Sequence, residues 1–304
     1  MAARRLAFNT LSGWVADDHA AALAAYAATA DLLDGSWPRP GKGAARDFFE
    51  RNFSPVLIGD PPALVTGYYE PEVAGELART GNFRHPLHGR PALIGSGPWF
   101  TRAEIVAGDL LAGHELVWLE SAVEAFLAQV QGSVRVRMPD GSVRRFGFAG
   151  RNGHPYRSIG VELVRQGEIA ESAMSAAAIR AWCLARPEAV TNLLNHNPSY
   201  VFFRPLDLPE DGGPLGTMGR QVTAGRSLAV DPDHIPLGAP VWAEAGDIRA
   251  LIIAQDTGSA IRGPQRGDIF CGSGDDAGRR AGAMRLGGRL VTLLPHELAA
   301  RVAP

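Results

Sequence analysis

The chain has 304 residues, 46% of them apolar, enough to bury a core in two domains or one large one. Thirty Lys and Arg offset thirty-two Asp and Glu, so the formal net charge of -2 gives no reason to expect nucleic acid or an anionic membrane as partner. Two cysteines are too few for a disulfide framework and are not spaced as metal ligands, and no apolar run approaches the ~20 residues that span a bilayer.

In chain order, the opening MAARRLAFNTLSGW lacks the long apolar core of a signal segment. Leu23, Tyr26, Ala30 and Leu33 recur at helical spacing within Val15 to Asp34 and predict a packing helix, which GSWPRPGKG ends. Ala63 to Glu70 reads as a strand running into GYYEP. Ser121 caps a helix over Ala122 to Val130, and Pro139-Asp140-Gly141 turns a hairpin between Val134 to Met138 and Val143 to Phe148. A further helix, about Ser175 to Arg186, stops at Pro187. From Tyr200 onward short apolar strands alternate with Gly/Pro turns, and the next helical pattern is Asp275 to Met284. This order predicts a discontinuous domain of residues 1–70 and 203–304, with residues 71–202 folding as an insertion. No internal repeat or low-complexity tract interrupts it.

Chemistry concentrates between Leu251 and Pro295. An apolar run (Leu251 to Ala254) delivers Asp256, a loop of small and basic residues reverses the chain, and a second run (Ile269, Phe270) follows Asp268 directly. Strand ends hold carboxylates rigidly enough for acid/base work, although Asp in such places also serves as a turn or capping residue. Gly272 to Ala277 matches a G-x-G-x-x-A dinucleotide pattern, but only ~10 residues follow the last strand, Arg289 to Leu294, too few for a βαβ unit. The pattern reads instead as backbone passing close to a site, with a helix N-terminus aimed at negative charge. The small face of that helix, Ala277, Gly278, Ala281 and Gly282, predicts close packing against the strands. Eight scattered histidines have neither metal-site nor nucleophile-base spacing.

GYYEP (Gly67 to Pro71), NGHPYRSIG (Asn152 to Gly160), NPSYVFFR (Asn197 to Arg204), GPLG (Gly213 to Gly216), AGRSLAVDPDHIPLGAPVW (Ala224 to Trp242) and the Leu251 to Pro295 segment follow one another in an order and spacing that resembles the membrane-bound lytic murein transglycosylase A (MltA) family. The resemblance implies a mainly β fold with several helices: a double-psi β-barrel, a smaller inserted β-rich domain, and a cleft between them. It implies cleavage of the β-1,4 bond between N-acetylmuramic acid and N-acetylglucosamine, with closure of a 1,6-anhydro ring and no cofactor or metal. Asp268 takes the place of the family's acid/base, and Asp256 that of a supporting aspartate. Asp231 matches a third aspartate but, in AVDPDH, reads as mainly structural.

Sugar contacts implied in the same way are Tyr68, Tyr69, Glu70, Gln129, Gln131, Tyr200, Phe202, Gly216, Ser259 and Ala260. For Phe202 and Phe203, core and cleft stand equal, since aromatics in strands serve both. Val134 stands where the family has glycine, and His88 where it has tyrosine, which bears on sugar contacts rather than on the reaction. The implied partners are peptidoglycan strands and complexes of cell-wall synthesis or lysis, with the enzyme itself a monomer. The implied location is the periplasm or outer membrane, although neither a signal peptide nor a lipid-attachment cysteine is seen near the start. Two other functions fit the same residues: a glycan-binding protein without turnover, and a hydrolytic muramidase using both Asp256 and Asp268.

Overall fold

Short apolar runs punctuated by Gly and Pro become strands at both ends of the chain, and the polar, Ala-rich stretches between them become helices. The computed structural model describes residues 3–209 and 212–304. The strands are β1 (Ala3–Arg5), β2 (Phe53–Ile58), β3 (Ala63–Glu70), β4 (Glu72–Glu76), β5 (His85–His88), β6 (Glu115–Leu119), β7 (Ser133–Arg137), β8 (Val143–Arg151), β9 (Val201–Leu206), β10 (Ser227–Val230), β11 (Pro240–Ala245), β12 (Ile248–Thr257), β13 (Arg266–Ser273) and β14 (Arg285–Pro295). The helices are α1 (His19–Ala30), α2 (Ala45–Asn52), α3 (Arg102–Ala107), α4 (Ala122–Gln131), α5 (Ile159–Arg165), α6 (Ala176–Ala185), α7 (Val190–Asn195), α8 (Gly274–Ala283) and α9 (His296–Val302).

The first of two units comprises Met1–Tyr69, Asp211–Gly272 and Asp276–Pro304. Its sheet runs β1-β2-β14-β11-β12-β10-β13-β3, and β3 then pairs back onto β14. That last pairing, from Thr66↔Arg285 to Ala63↔Gly288, closes six strands into a barrel and leaves them no free edge. Val65, Leu228, Val230, Val241, Leu251, Ile253 and Val291 belong to its core.

Helix α1 begins later than the apolar stripe predicts, because Asp18 caps it by accepting from the Ala21 amide at 3.0 Å. It buries Ala22, Ala25, Tyr26 and Thr29, and Tyr26 meets Phe49 and Phe53 edge-on. Its tie to the barrel is Gln255 of β12, whose amide donates to the Ala25 carbonyl (2.8 Å) and to Thr29 Oγ1 (3.0 Å).

The second unit comprises Glu70–Glu210 and Ser273–Asp275. Its six-stranded sheet runs β5-β6-β4-β7-β8-β9. Val134, Val136, Phe146 and Phe203 pack there against Ala125 and Ala128 of α4. Ser121 caps α4, Gly132 ends it at φ 76°, and Gly141 turns the β7–β8 hairpin at φ 85°. On its other side α4 joins Leu163, Trp182 and Leu193 in a helical cluster. The chain is thus mainly β with several helices, one closed barrel and a separate sheet, as the resemblance implied.

Candidate active site

Asp256 and Asp268 lie on different strands, yet both are in register with one residue, Ala229 of β10. Residues paired across neighbouring strands project to the same side of a sheet. The two carboxylates therefore flank Ala229 on one face of the barrel wall. An irregularity in β12 makes this so. Leu228 pairs with Ala254, but Ala229 pairs with Asp256, so Gln255 is passed over. Without that bulge Asp256 would face the opposite side, which is the way bulges re-aim side chains.

Strand β3 brings a donor to each carboxylate. Thr66 Oγ1 donates to Asp268 Oδ1 at 2.6 Å, and the Tyr68 hydroxyl donates to Asp256 Oδ2 at 2.9 Å. Their spacing of two residues puts both side chains on one face. Gly67, between them, faces the other way: a Cβ there would lie 2.8 Å from Ala281 Cα and 2.9 Å from Cys271 Sγ. Gly278 likewise receives the Tyr69 ring, so Ala277 and Ala281 of α8 pack tightly behind the strand. The predicted small-faced helix is this backstop.

The two aspartates differ in how their oxygens are engaged. Asp256 Oδ1 accepts from the Thr217 amide (3.0 Å), Thr217 Oγ1 (2.9 Å) and the Thr257 amide (2.8 Å), while Tyr68 holds Oδ2. Thr217 reaches it because Gly216 has no side chain, a Cβ there lying 2.6 Å from the Gln255 carbonyl oxygen. Asp268 accepts only from Thr66, and its Oδ2 has no donor among the described residues.

Both residues keep some solvent-accessible surface, yet enough protein surrounds them that burial pushes both carboxyls above the usual range. At Asp268 the charge of Asp256 adds slightly to this rise, opposed by the Thr66 hydrogen bond and the Arg266 guanidinium. Burial first, and then Asp256, pushes the Tyr68 phenol well above its ordinary value, so it remains a donor.

Asp231, directly after β10, shares no hydrogen-bond partner with Asp256 or Asp268 among the described residues. It accepts from the Gly263 amide at 2.8 Å, which with the Asp233 amide and Arg262 holds its carboxyl below the usual range. These contacts tie it to the β12–β13 connection.

The remaining residues named from sequence fall in several places. Tyr69 faces α8. Glu70 is fully buried, its Oε2 accepting from Arg135, Arg145 and Ser273, each at 2.8 Å. Gln129 is buried and accepts from Arg102 at 2.5 Å, while Gln131 ends α4 half-buried. The buried Tyr200 hydroxyl lies 2.9 Å from His88 Nδ1. Phe202 is 0% exposed among Ile94, Ile105, Leu111 and Tyr200, and Phe203 is buried on the other face of β9. Both rings are core, because β9 is covered on both sides; Phe202 has no surface to offer a sugar. Gly216 acts through Thr217, and Ser259 and Ala260 are exposed in the β12–β13 connection.

Sequence reading missed Thr66 and Thr217. Strand periodicity back from Tyr68 points to Thr66, whereas nothing local marks Thr217. Cys183 and Cys271 are both free and buried, and burial raises the Cys271 thiol to about 11. Among the described residues no cluster of His, Cys, Asp and Glu could hold a metal, and no helix is long and apolar enough to cross a membrane.

Comparison with known proteins identifies the family. The model of the MltA specific insert domain matches residues 64–204, and that of the 3D domain matches residues 226–294. Membrane-bound lytic murein transglycosylase A of Escherichia coli (strain K12) is 38% identical over 243 residues, 75% of this chain and 64% of the relative, so the match spans under two thirds of that protein. The Vibrio cholerae enzyme of the same name is 35% identical over the same span. Among solved structures, a membrane-bound lytic murein transglycosylase from Agrobacterium tumefaciens superposes with a TM-score of 0.89 at 31% identity, covering 99% of this chain and 100% of that one. Escherichia coli MltA with bound chitohexaose gives 0.74 at 33% identity, covering 86% and 79%. On these matches and on its barrel with two flanking aspartates, the chain belongs to the membrane-bound lytic murein transglycosylase A family.

Proposed function

We propose that this protein is a peptidoglycan lytic transglycosylase in which Asp268 is the one acid/base catalyst. The observation that carries the reading is the unequal engagement of the two carboxylates. Asp256 takes four donor contacts, with at least one on each oxygen, whereas Asp268 takes one and its Oδ2 has no donor among the described residues. A hydrolase needs two working carboxylates, one as acid and one as base or nucleophile. Asp256 is held by donors on both oxygens while Asp268 keeps one oxygen open, and this inequality favours a single working carboxyl over the two that a muramidase needs.

One carboxyl suffices if the substrate supplies its own nucleophile. Asp268 Oδ2 gives its proton to the glycosidic oxygen as the bond to the muramic acid anomeric carbon breaks. The 6-hydroxyl oxygen of the same sugar then bonds to that carbon, and its proton passes to the Asp268 carboxylate. The products are an N-acetylglucosamine 4-hydroxyl and a 1,6-anhydro-muramoyl end, and the catalyst is protonated again. Thr66 and Tyr68 keep the two carboxylates oriented.

In this reading the barrel unit is the catalytic domain and the second unit contributes glycan contacts; the boundary expected at residue 203 moves to 211, because β9 pairs with β8 in the second unit's sheet. The chitohexaose bound by the Escherichia coli relative supports an extended β-1,4 glycan as ligand. Such a substrate lies outside the cytoplasm, so we assign the protein to the periplasm or the outer membrane, acting as a monomer within cell-wall complexes. Mass spectrometry of muropeptides released from sacculi tests the reaction. Products lacking one water relative to reducing-end muropeptides support it; reducing ends would establish a hydrolase, and no release would leave a glycan binder.

A further inference from the structure

We propose that Thr66 is a positioning residue of the reaction, selecting which oxygen of Asp268 carries the proton that is transferred. The inference rests on Asp268 as acid/base, and it starts from an asymmetry around that carboxyl. Thr66 Oγ1 lies 2.6 Å from Oδ1, and no other described side chain or amide donates to Asp268. A hydroxyl that donates to Oδ1 makes that oxygen the acceptor and leaves the acid proton to Oδ2. The contact also fixes the carboxyl plane, as acid catalysis of an off-centre oxygen requires.

The donor is itself held in place. Thr66 sits on β3 at the closure of the barrel, in register with Arg285 of β14. Gly67, the next residue, lies so close to Ala281 and Cys271 that a Cβ would clash with both, so the strand is closely backed at this point. Being β-branched, Thr66 has few rotamers available at χ1.

A hydrogen bond to a carboxylate is stronger than one to the neutral acid, so Thr66 helps most once the proton has left. It eases the first transfer by stabilising the anion formed, and it keeps that anion oriented to recover the proton of the 6-hydroxyl. Its bond is one of the influences that lower the Asp268 pKa against burial.

The test compares Thr66→Val, which keeps the shape and loses the donor, with Thr66→Ser, which keeps the donor. Each is assayed on sacculi across pH beside wild type and Asp268→Asn. Thr66→Val should lower kcat about tenfold or more, the scale of one charge-assisted hydrogen bond, with KM unchanged. The alkaline limb of its pH profile should move to higher pH, because losing the donor raises the Asp268 pKa. Thr66→Ser should restore both.

A fall in kcat with an unmoved alkaline limb, or a loss that Thr66→Ser fails to restore, assigns Thr66 to packing and overturns the proposal. Should Thr66→Val not fold, Thr66→Ala against Thr66→Ser makes the same comparison. Activity retained by Asp268→Asn would instead refute the assignment of Asp268, while an inactive Asp268→Asn beside a fully active Thr66→Val refutes Thr66 alone.

Discussion

Tyr68 of β3 reaches Asp256 of β12 at 2.9 Å although β13 and β10 lie between those strands in the sheet. The phenol thereby spans the row that contains Asp268, and its ring rests against Phe270 at 5.2 Å between centroids. Tyr68→Phe should keep the ring contact and lose the donor, costing about 1 kcal/mol in stability. Asp256 would retain its three contacts on Oδ1, so turnover should fall by no more than about tenfold. A loss comparable with that of Asp268→Asn would show the phenol itself taking part in proton transfer.

Asp268→Asn keeps size and hydrogen-bonding capacity but cannot exchange the proton. Removing a positioned acid/base group typically lowers rate ~10²–10⁴-fold, and here one group serves both half-reactions, so release of anhydro-muropeptides should fall by at least that much. The folded variant should still sediment with sacculi, since the glycan contacts are intact.

The same variant should be more stable than wild type at neutral pH. A carboxyl whose folded pKa is raised binds its proton more tightly folded than unfolded, so its penalty is absent in acid and grows as pH rises above the unfolded value. Thermal midpoints of Asp268→Asn and wild type should therefore converge at low pH and separate in favour of the variant above it. Equal midpoints at every pH would mean Asp268 is not strained by burial.

Asp256→Asn should lower activity less than Asp268→Asn and move the alkaline limb slightly to lower pH. The direction follows because a negative charge that disfavours Asp268 ionisation is removed; the size is small because burial, not Asp256, is the main cause of the shift. An unchanged profile would restrict Asp256 to its role as an anchor for Thr217.

Phe202→Ala should separate packing from recognition. Deleting a fully buried ring costs about 3–5 kcal/mol, so the thermal midpoint should drop steeply. Below that midpoint, kcat and sedimentation with sacculi should match wild type. A selective loss of murein binding would return the ring to the glycan site.

Local sequence determined which segments become strands and helices. The GYYEP strand, the Ser121-capped helix, the Pro139-Asp140-Gly141 hairpin and the small-faced α8 all follow from alternation, capping and turn chemistry, each decided by neighbours a few residues away. Asp256 and Asp268 were legible as residues bordering apolar runs, and their roles came from the order of motifs. What tertiary structure decided is how those residues face. The bulge at Gln255 turns Asp256 toward Asp268, and no local periodicity encodes a skipped residue. Burial of β9 on both sides assigns Phe202 to the core, because exposure depends on what the remote helices and loops cover. Thr66 and Thr217 find their carboxylates across 202 and 39 residues of sequence, through closure of the barrel and the side-chain-free approach of Gly216. The inequality of the two aspartates, on which the chemistry turns, is a count of donors that only the folded chain assembles.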